Sequence, residues 1–157
     1  MSNHQLNSEW NVWIHDICNN NWDITSYKHI FKINNIYDYI YFISHITDNY
    51  LSKYMFFIMR DDIKPLWEDD NNKNGCTYSF KVQNKYRLHE LNELLKKNIA
   101  EVIHKKPEEY NNITGISITP KRNFSIIKIW LRKQTSIESI HTYHPYIIES
   151  NCYIKNH

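Results

Sequence analysis

Two strand-like runs, residues 113–119 and 124–130, flank the tetrapeptide Pro120-Lys121-Arg122-Asn123, and this arrangement constrains the fold more than any other feature of the chain. A proline at a turn loses no ladder hydrogen bond, so the two runs are expected to pair with each other as an antiparallel hairpin. Residues 11–14, 27–33, 53–60 and 77–82, rich in isoleucine and aromatic side chains, also read as strands; the third is stopped by Asp61-Asp62 and Pro65. Asparagine clusters at 19–21, 71–75 and 111–112 mark loops. Two stretches have helical spacing instead. Ile36, Tyr39, Ile40, Ile43 and Ile46 recur three or four apart, as do Leu88, Leu91, Leu95, Ile99 and Val102, which predicts amphipathic helices over 36–46 and 88–103. Beyond Trp130 the pattern gives a helical turn over 136–140 and a last strand over 146–154. Strands with interspersed helices and mainly hairpin links predict an α+β domain, a curved antiparallel sheet with helices covering one face.

Size and composition bound this reading. The 157 residues fit one domain, with residues 1–8 as a flexible end and 134–157 as a short C-terminal part. A hydrophobic fraction of 41% with 15% aromatic residues excludes general disorder. The longest uncharged apolar run, residues 54–59, is far short of a membrane span, and the start of the chain has no signal-peptide pattern. No membrane attachment is expected. Cys18, Cys76 and Cys152 are widely separated with no CxxC, so reduced thiols and a cytoplasmic location are the simplest expectation. Asn, Ile, Lys and Tyr make up 71 of the 157 residues, a bias that follows from A/T-rich codons, as in a large DNA virus or a protist, rather than from function.

Charge is informative once divided along the chain. Residues 1–80 hold 6 Lys+Arg against 10 Asp+Glu, whereas residues 81–133 hold 12 against 5. The formal net charge of +2 therefore hides a basic second half, which suits an anionic partner such as phosphate unless it is simply a solvated lysine surface.

Two tryptophans stand out. Trp22 and Trp67 occur in polar loops, beside Asn19-Asn20-Asn21 and Glu68-Asp69-Asp70. Either indole alone reads more simply as one tucked over the edge of the core. Together they suggest stacking platforms, because an indole face attracts planar and especially cationic rings. Glu68, directly after Trp67, offers two acceptor oxygens that match the adjacent N–H donors on the Watson–Crick edge of guanine. Trp10 and Trp13 lie in a strand and read as core. The pairs His15/Cys18 and His141/His144 lack further ligands at useful spacing, so no metal is expected, and no cofactor either. No nucleophile elbow, glycine-rich phosphate loop or carboxylate pair is present.

Three segments carry a resemblance. Ile63-Lys64-Pro65-Leu66-Trp67-Glu68-Asp69, followed by Asn72-Lys73-Asn74-Gly75, resembles the signature of the eukaryotic translation initiation factor 4E family. His4-Gln5-Leu6-Asn7-Ser8-Glu9-Trp10-Asn11-Val12-Trp13 is similar to that family's opening His-Pro-Leu…Trp…Trp, with Gln5 in place of proline. Gly115-Ile116-Ser117-Ile118-Thr119 through Ile127-Lys128-Ile129-Trp130 is similar to its Gly-x-Val-Val…Ile-x-Ile-Trp hairpin without a gap. Three motifs in the right order across residues 4–133 are far more specific than any one of them.

The resemblance implies a cupped sheet with helices on its convex back, a 7-methylguanosine cap pocket on the concave face, and no enzymatic activity. Carried over by position, Trp22 and Trp67 would sandwich the methylated base, with Tyr27 as the alternative to Trp22. Glu68 would accept the N1 and N2 protons, and Trp130 would line the N7-methyl pocket. Lys121 falls where the family has a phosphate-binding arginine; Ile126 replaces a second family cation, leaving Lys128 or Arg122 to substitute. On the convex side Ile36, Ile40 and Glu93 would meet a scaffold initiation factor. Ile40 replaces a family tryptophan, and Asn92 and Lys96 replace apolar contacts, so an altered partner motif is expected. The implied protein is a monomeric initiation factor that binds capped mRNA. The alternatives are a cap-binding translational repressor, a nucleotide- or cap-processing enzyme, and a general single-strand RNA binder.

Overall fold

A computed structural model describes residues 4–100, 107–134 and 152–156. Its strands are β1 (Gln5–Asp16), β2 (Lys28–Asn35), β3 (Tyr54–Arg60), β4 (Cys76–Gln83), β5 (Ile113–Pro120), β6 (Phe124–Leu131) and β7 (Cys152–Asn156). They form one sheet in the order β2-β1-β3-β5-β6-β4-β7, with every pairing antiparallel. The helices are α1 (Ile36–His45), α2 (Asp48–Lys53), α3 (Arg87–Leu95) and α4 (Pro107–Asn112), and a π-helical turn, Lys96–Ala100, extends α3.

The expected β5–β6 hairpin is present, paired from Ile113↔Leu131 to Pro120↔Ser125, with Lys121 N–H donating to the Phe124 carbonyl across the turn. Strand alternation then separates two apolar clusters, because successive side chains point to opposite faces. Phe56 and Ile58 of β3, Ile116 and Ile118 of β5, and Ile127 and Ile129 of β6 face the helices and form the main core with Tyr39, Phe42, Leu91, Leu94 and Leu95. The intervening Phe57, Met59 and Trp130 form a smaller cluster on the other face with Ile63, flanked by Trp13, Tyr27 and Met55. Trp10 belongs to the main core and is fully buried; Trp13 is only partly buried and lies on the opposite face.

Neighbours approach both glycines closely, backbone at Gly75 and the end of the Met59 side chain at Gly115. A Cβ on Gly115 would lie 2.3 Å from Met59 Sδ, and one on Gly75 would lie 1.8 Å from the Leu131 carbonyl oxygen. Arg60, at the end of β3, is almost fully buried. It donates to the carbonyls of Ile113 and Tyr110 and to Ser8 Oγ, with its guanidinium over the rings of Tyr110 and Trp10. A buried charge this well satisfied ties β1, β3 and α4 together.

Several expectations need correction. Gln5 pairs with Asn35, so β1 begins at Gln5, well before the strand expected over residues 11–14. Lys53 closes α2 instead of opening β3, and Asn111-Asn112 ends α4 instead of forming a loop. Neither six-residue helix has enough turns to display a periodicity. The second long helix stops being α-helical at Leu95, and the expected helical turn over 136–140 and residues 101–103 and 146–151 lie outside the described residues.

Candidate nucleotide-binding site

The loops at one end of the sheet and its helix-free face enclose a cavity of about 420 Å³. Three parts of the chain supply its walls: Trp22 and Tyr27 between β1 and β2, residues 65–68 after β3, and the inward side chains of β3, β5 and β6. Trp22, Trp67, Glu68, Trp130 and Lys128 all line it, although up to 108 residues of sequence separate them.

The first wall is built by asparagine and aspartate side chains. Asp16, Asn19 and Asn21 each accept, at 2.8–2.9 Å, the backbone N–H two residues on, at Cys18, Asn21 and Asp23. Such Asx turns explain why this stretch is a defined loop. At its tip Trp22 is 53% exposed, yet one face of its indole rests on the fully buried His15, with ring centroids 4.2 Å apart and planes within 5°. His15 Nε2 lies 2.7 Å from the Asn21 carbonyl oxygen. Tyr27 packs at 4.8 Å from His15 and 5.3 Å from Phe57; burial, with the charge of Glu68 second, pushes its phenol up to about 12.

The second wall is a caged loop. Asp69 accepts the N–H of Lys64 and of Asn71 at 2.9 Å, and the buried Asn72 donates to the carbonyls of Lys64 and Leu66 while accepting from Thr114 Oγ1 at 2.7 Å. Asp69 and Asn72 therefore hold the frame on which Trp67 and Glu68 are displayed. Trp67 is 38% exposed. The exposed carboxylate of Glu68 makes neither a hydrogen bond nor an ion pair among the described residues.

The floor is apolar. Trp130 is buried, meets Phe57 edge-on at 6.2 Å, and donates its indole N–H to Ser117 Oγ at 3.0 Å, which fixes the ring. Lys128, two residues earlier on the same face of β6, reaches to 5.8 Å from the Trp67 ring. Lys155 of β7, paired opposite Thr77, lies closer, its ammonium 3.8 Å from the same ring. Burial, then the charges of Lys155 and Lys121, lower the pKa of Lys128. Lys128 of β6 and Lys155 of β7 thus meet near the Trp67 ring, with Lys121 of the hairpin turn close enough to act on Lys128, an arrangement that favours an anion.

The other proposed positions are less central. Lys121 and Arg122 are exposed at the hairpin turn and do not line the cavity, though Lys121 is near enough to affect Lys128. On the helix-covered side Ile40 is 50% exposed between the exposed Tyr37 and Tyr41, Ile36 packs partly into the core, and Glu93 is half-buried on α3. Sequence reasoning assigned no role to His15, Lys155, Phe57 or Ser117. Only alternation relative to Trp13 and Trp130 could have placed His15 and Ser117 on the concave side. Among the described residues no cluster of three metal-ligating side chains occurs, and no helix is long and apolar enough to cross a membrane.

Comparison with known proteins supplies the context. The family model for eukaryotic initiation factor 4E matches residues 5–149. Among solved structures, Ascaris suum eIF4E-3 in complex with m7G cap superposes with a TM-score of 0.81 at 20% identity, covering 98% of this chain and 91% of that one. Schistosome eIF4E complexed with m7GpppG and 4E-BP gives 0.82 at 20% identity, with coverages of 98% and 88%. C. elegans eIF4E-3 with the 4E-binding protein Mextli and a cap analog gives 0.81 at 19% identity, with coverages of 98% and 92%. These structural likenesses establish a shared fold, and the family match, spanning most of the sequence, establishes more: the chain belongs to the eukaryotic initiation factor 4E family.

Proposed function

We propose that this protein binds the 7-methylguanosine cap of mRNA in the concave cavity and acts in translation initiation as a cytoplasmic, non-enzymatic, single-domain factor. The observation that carries the proposal is the meeting of Trp22, Trp67, Glu68 and Trp130 around one cavity. Methylation at N7 makes guanine cationic, so indole faces attract it more strongly than the unmethylated base. Trp22 and Trp67 stack the base, and Glu68 accepts its N1 and N2 protons in a charge-assisted pair. Trp130, with its N–H committed to Ser117, turns hydrocarbon towards the methyl group. Lys128 meets the phosphates first, because it lines the cavity, with Lys121 and Arg122 further out at the hairpin turn.

The helix-covered face is the proposed docking surface for a scaffold partner. Its exposed centre is Ile40 with Tyr37 and Tyr41, and Lys96 is exposed beyond α3, so the partner segment carries a motif suited to these residues, including an acidic side chain for Lys96. The deciding experiment is retention on 7-methylguanosine resin followed by elution with nucleotide. Elution by 7-methyl-GTP but not by equal GTP supports the reading. Equal elution by both would mean a pocket indifferent to methylation, as in a general single-strand RNA binder.

A further inference from the structure

The His15–Trp22 stack does more than fill space. An indole on a polar loop tip has to be backed if it is to present one face to a ligand, and a parallel ring 4.2 Å away provides that backing. His15 also controls the chain next to it. A carbonyl oxygen only accepts, so the 2.7 Å contact with Asn21 requires the proton on His15 Nε2. Nδ1 is then the bare nitrogen, and it is buried with no hydrogen-bond partner among the described residues. One tautomer of the neutral ring therefore satisfies both the stack and the residue preceding Trp22.

Resting on the reading that Trp22 stacks the methylated base, we infer that His15 is a positioning residue whose neutral form seats Trp22 for the cap and whose protonation releases it. A second proton would go to Nδ1, adding a buried donor without an acceptor. It would also put a positive charge behind an indole whose other face is to receive a cationic base. The surroundings supply little to offset this: on β2, His29 shares this face but is engaged with Trp13 and Asn11, and Lys28 is exposed and carries the same sign of charge. Met55 opposes His15 on β3 and is uncharged; Tyr27 at 4.8 Å stays a neutral phenol, with Glu68 acting on it from beyond. Asp16 is next in sequence, but its carboxylate accepts the Cys18 N–H, and Asp23 on the loop is exposed.

The test is a fluorescence titration of the full chain with 7-methyl-GTP at constant ionic strength, repeated from about pH 7.5 down to about pH 5.5. Wild type is compared with His15→Phe, which keeps a flat ring but neither the hydrogen bond nor the proton, and with His15→Ala. At the upper pH, His15→Phe should bind within about threefold of wild type and His15→Ala about tenfold more weakly, the scale of losing one stacking platform. On acidification wild type should lose affinity more steeply than His15→Phe. Ionisation of the ligand is common to all three proteins and cancels in the difference. Parallel pH profiles for wild type and His15→Phe would overturn the inference, even if His15→Ala failed to fold. So would a wild-type affinity that rose on acidification relative to His15→Phe. No wild-type binding at any pH would overturn the cap-binding reading itself, whereas binding with parallel profiles removes only the role of His15.

Discussion

The two faces of the sheet are made by the same strands and do opposite work. On β6, Ile127, Ile129 and Leu131 face the helices and are buried; alternate with them are Ile126, Lys128 and Trp130, which face the open side. β3 repeats the division, with Phe56 and Ile58 behind and Met55, Phe57 and Met59 in front. The back is mainly aliphatic and covered by α1 and α3. In front are aromatic edges, two half-exposed indoles and lysines whose charges repel one another. Buried apolar contacts are concentrated behind and the proposed cap site lies in front, at adjacent positions of one chain.

Core truncation should have the largest effect, and on stability alone. Ile116 is fully buried in the rear cluster, so Ile116→Ala should cost about 2–5 kcal/mol in urea unfolding, from lost burial and the cavity left behind. The protein that remains folded should bind 7-methyl-GTP with wild-type affinity. Trp67→Ala is the reciprocal test. It should cost about 1–3 kcal/mol of cap affinity, the size of one base–aromatic stack. Its stability cost should be smaller than that of Ile116→Ala, because Trp67 is 38% exposed and Ile116 not at all. Cap affinity lost with Ile116, or a greater stability loss with Trp67 than with Ile116, would dissolve the division between faces.

The same division explains what could be read from the sequence. The hairpin, the first long helix and the start of the second were legible because each has one face in the rear core, and a buried face imposes a period. The short helices had only end signals: Thr47, whose hydroxyl accepts the Tyr50 N–H, and Pro107 at the first position of α4. In the cavity, Trp67 and Glu68 were legible because they form one contiguous motif, and the structure adds that Asp69 and Asn72 brace that motif. His15 and Lys155 were not legible. A histidine acquires its meaning from the ring stacked on it, and Lys155 comes within reach of Trp67 only through the pairing of β7 with β4.

A polar contact on the helix side sharpens the comparison. Arg87, only 5% exposed on α3, donates to Asp48 of α2 through Nε at 2.7 Å and Nη2 at 3.0 Å. The hydrogen bond from Arg87 is the main reason that the Asp48 pKa is lowered. A lowered carboxyl contributes stability above its unfolded-state range and loses it as pH falls through its folded value. Asp48→Asn should therefore destabilise the protein by about 1–2 kcal/mol at neutral pH, less than for a fully buried pair because the Asp48 side chain is 60% exposed. Thermal unfolding at pH 7 and pH 3 should show the gap between wild type and variant closing in acid. A constant gap would mean that the carboxylate charge contributes nothing there.

The smallest effect should come from Lys155, and it should differ in sign between ligands. Its ammonium lies 3.8 Å from the Trp67 ring centroid, in the position that suits a cation on an indole. A cationic base brought to the Trp67 indole competes with this ammonium for the ring, whereas a triphosphate gives it a better partner. Lys155→Ala should therefore leave 7-methylguanosine bound equally or slightly more tightly, yet weaken 7-methyl-GTP by up to about 1 kcal/mol, as expected for one solvent-accessible ion pair. The loss should shrink as salt is raised, because exposed charges are screened. Lys128→Ala should weaken the triphosphate ligand more, since Lys128 lines the cavity and its neighbouring lysines favour an anion there. Isothermal titration of both ligands at low and high salt separates these cases. Equal losses for nucleoside and triphosphate would show Lys155 bracing Trp67, so that the rim lysines would belong to the architecture of the front face and not to its electrostatics.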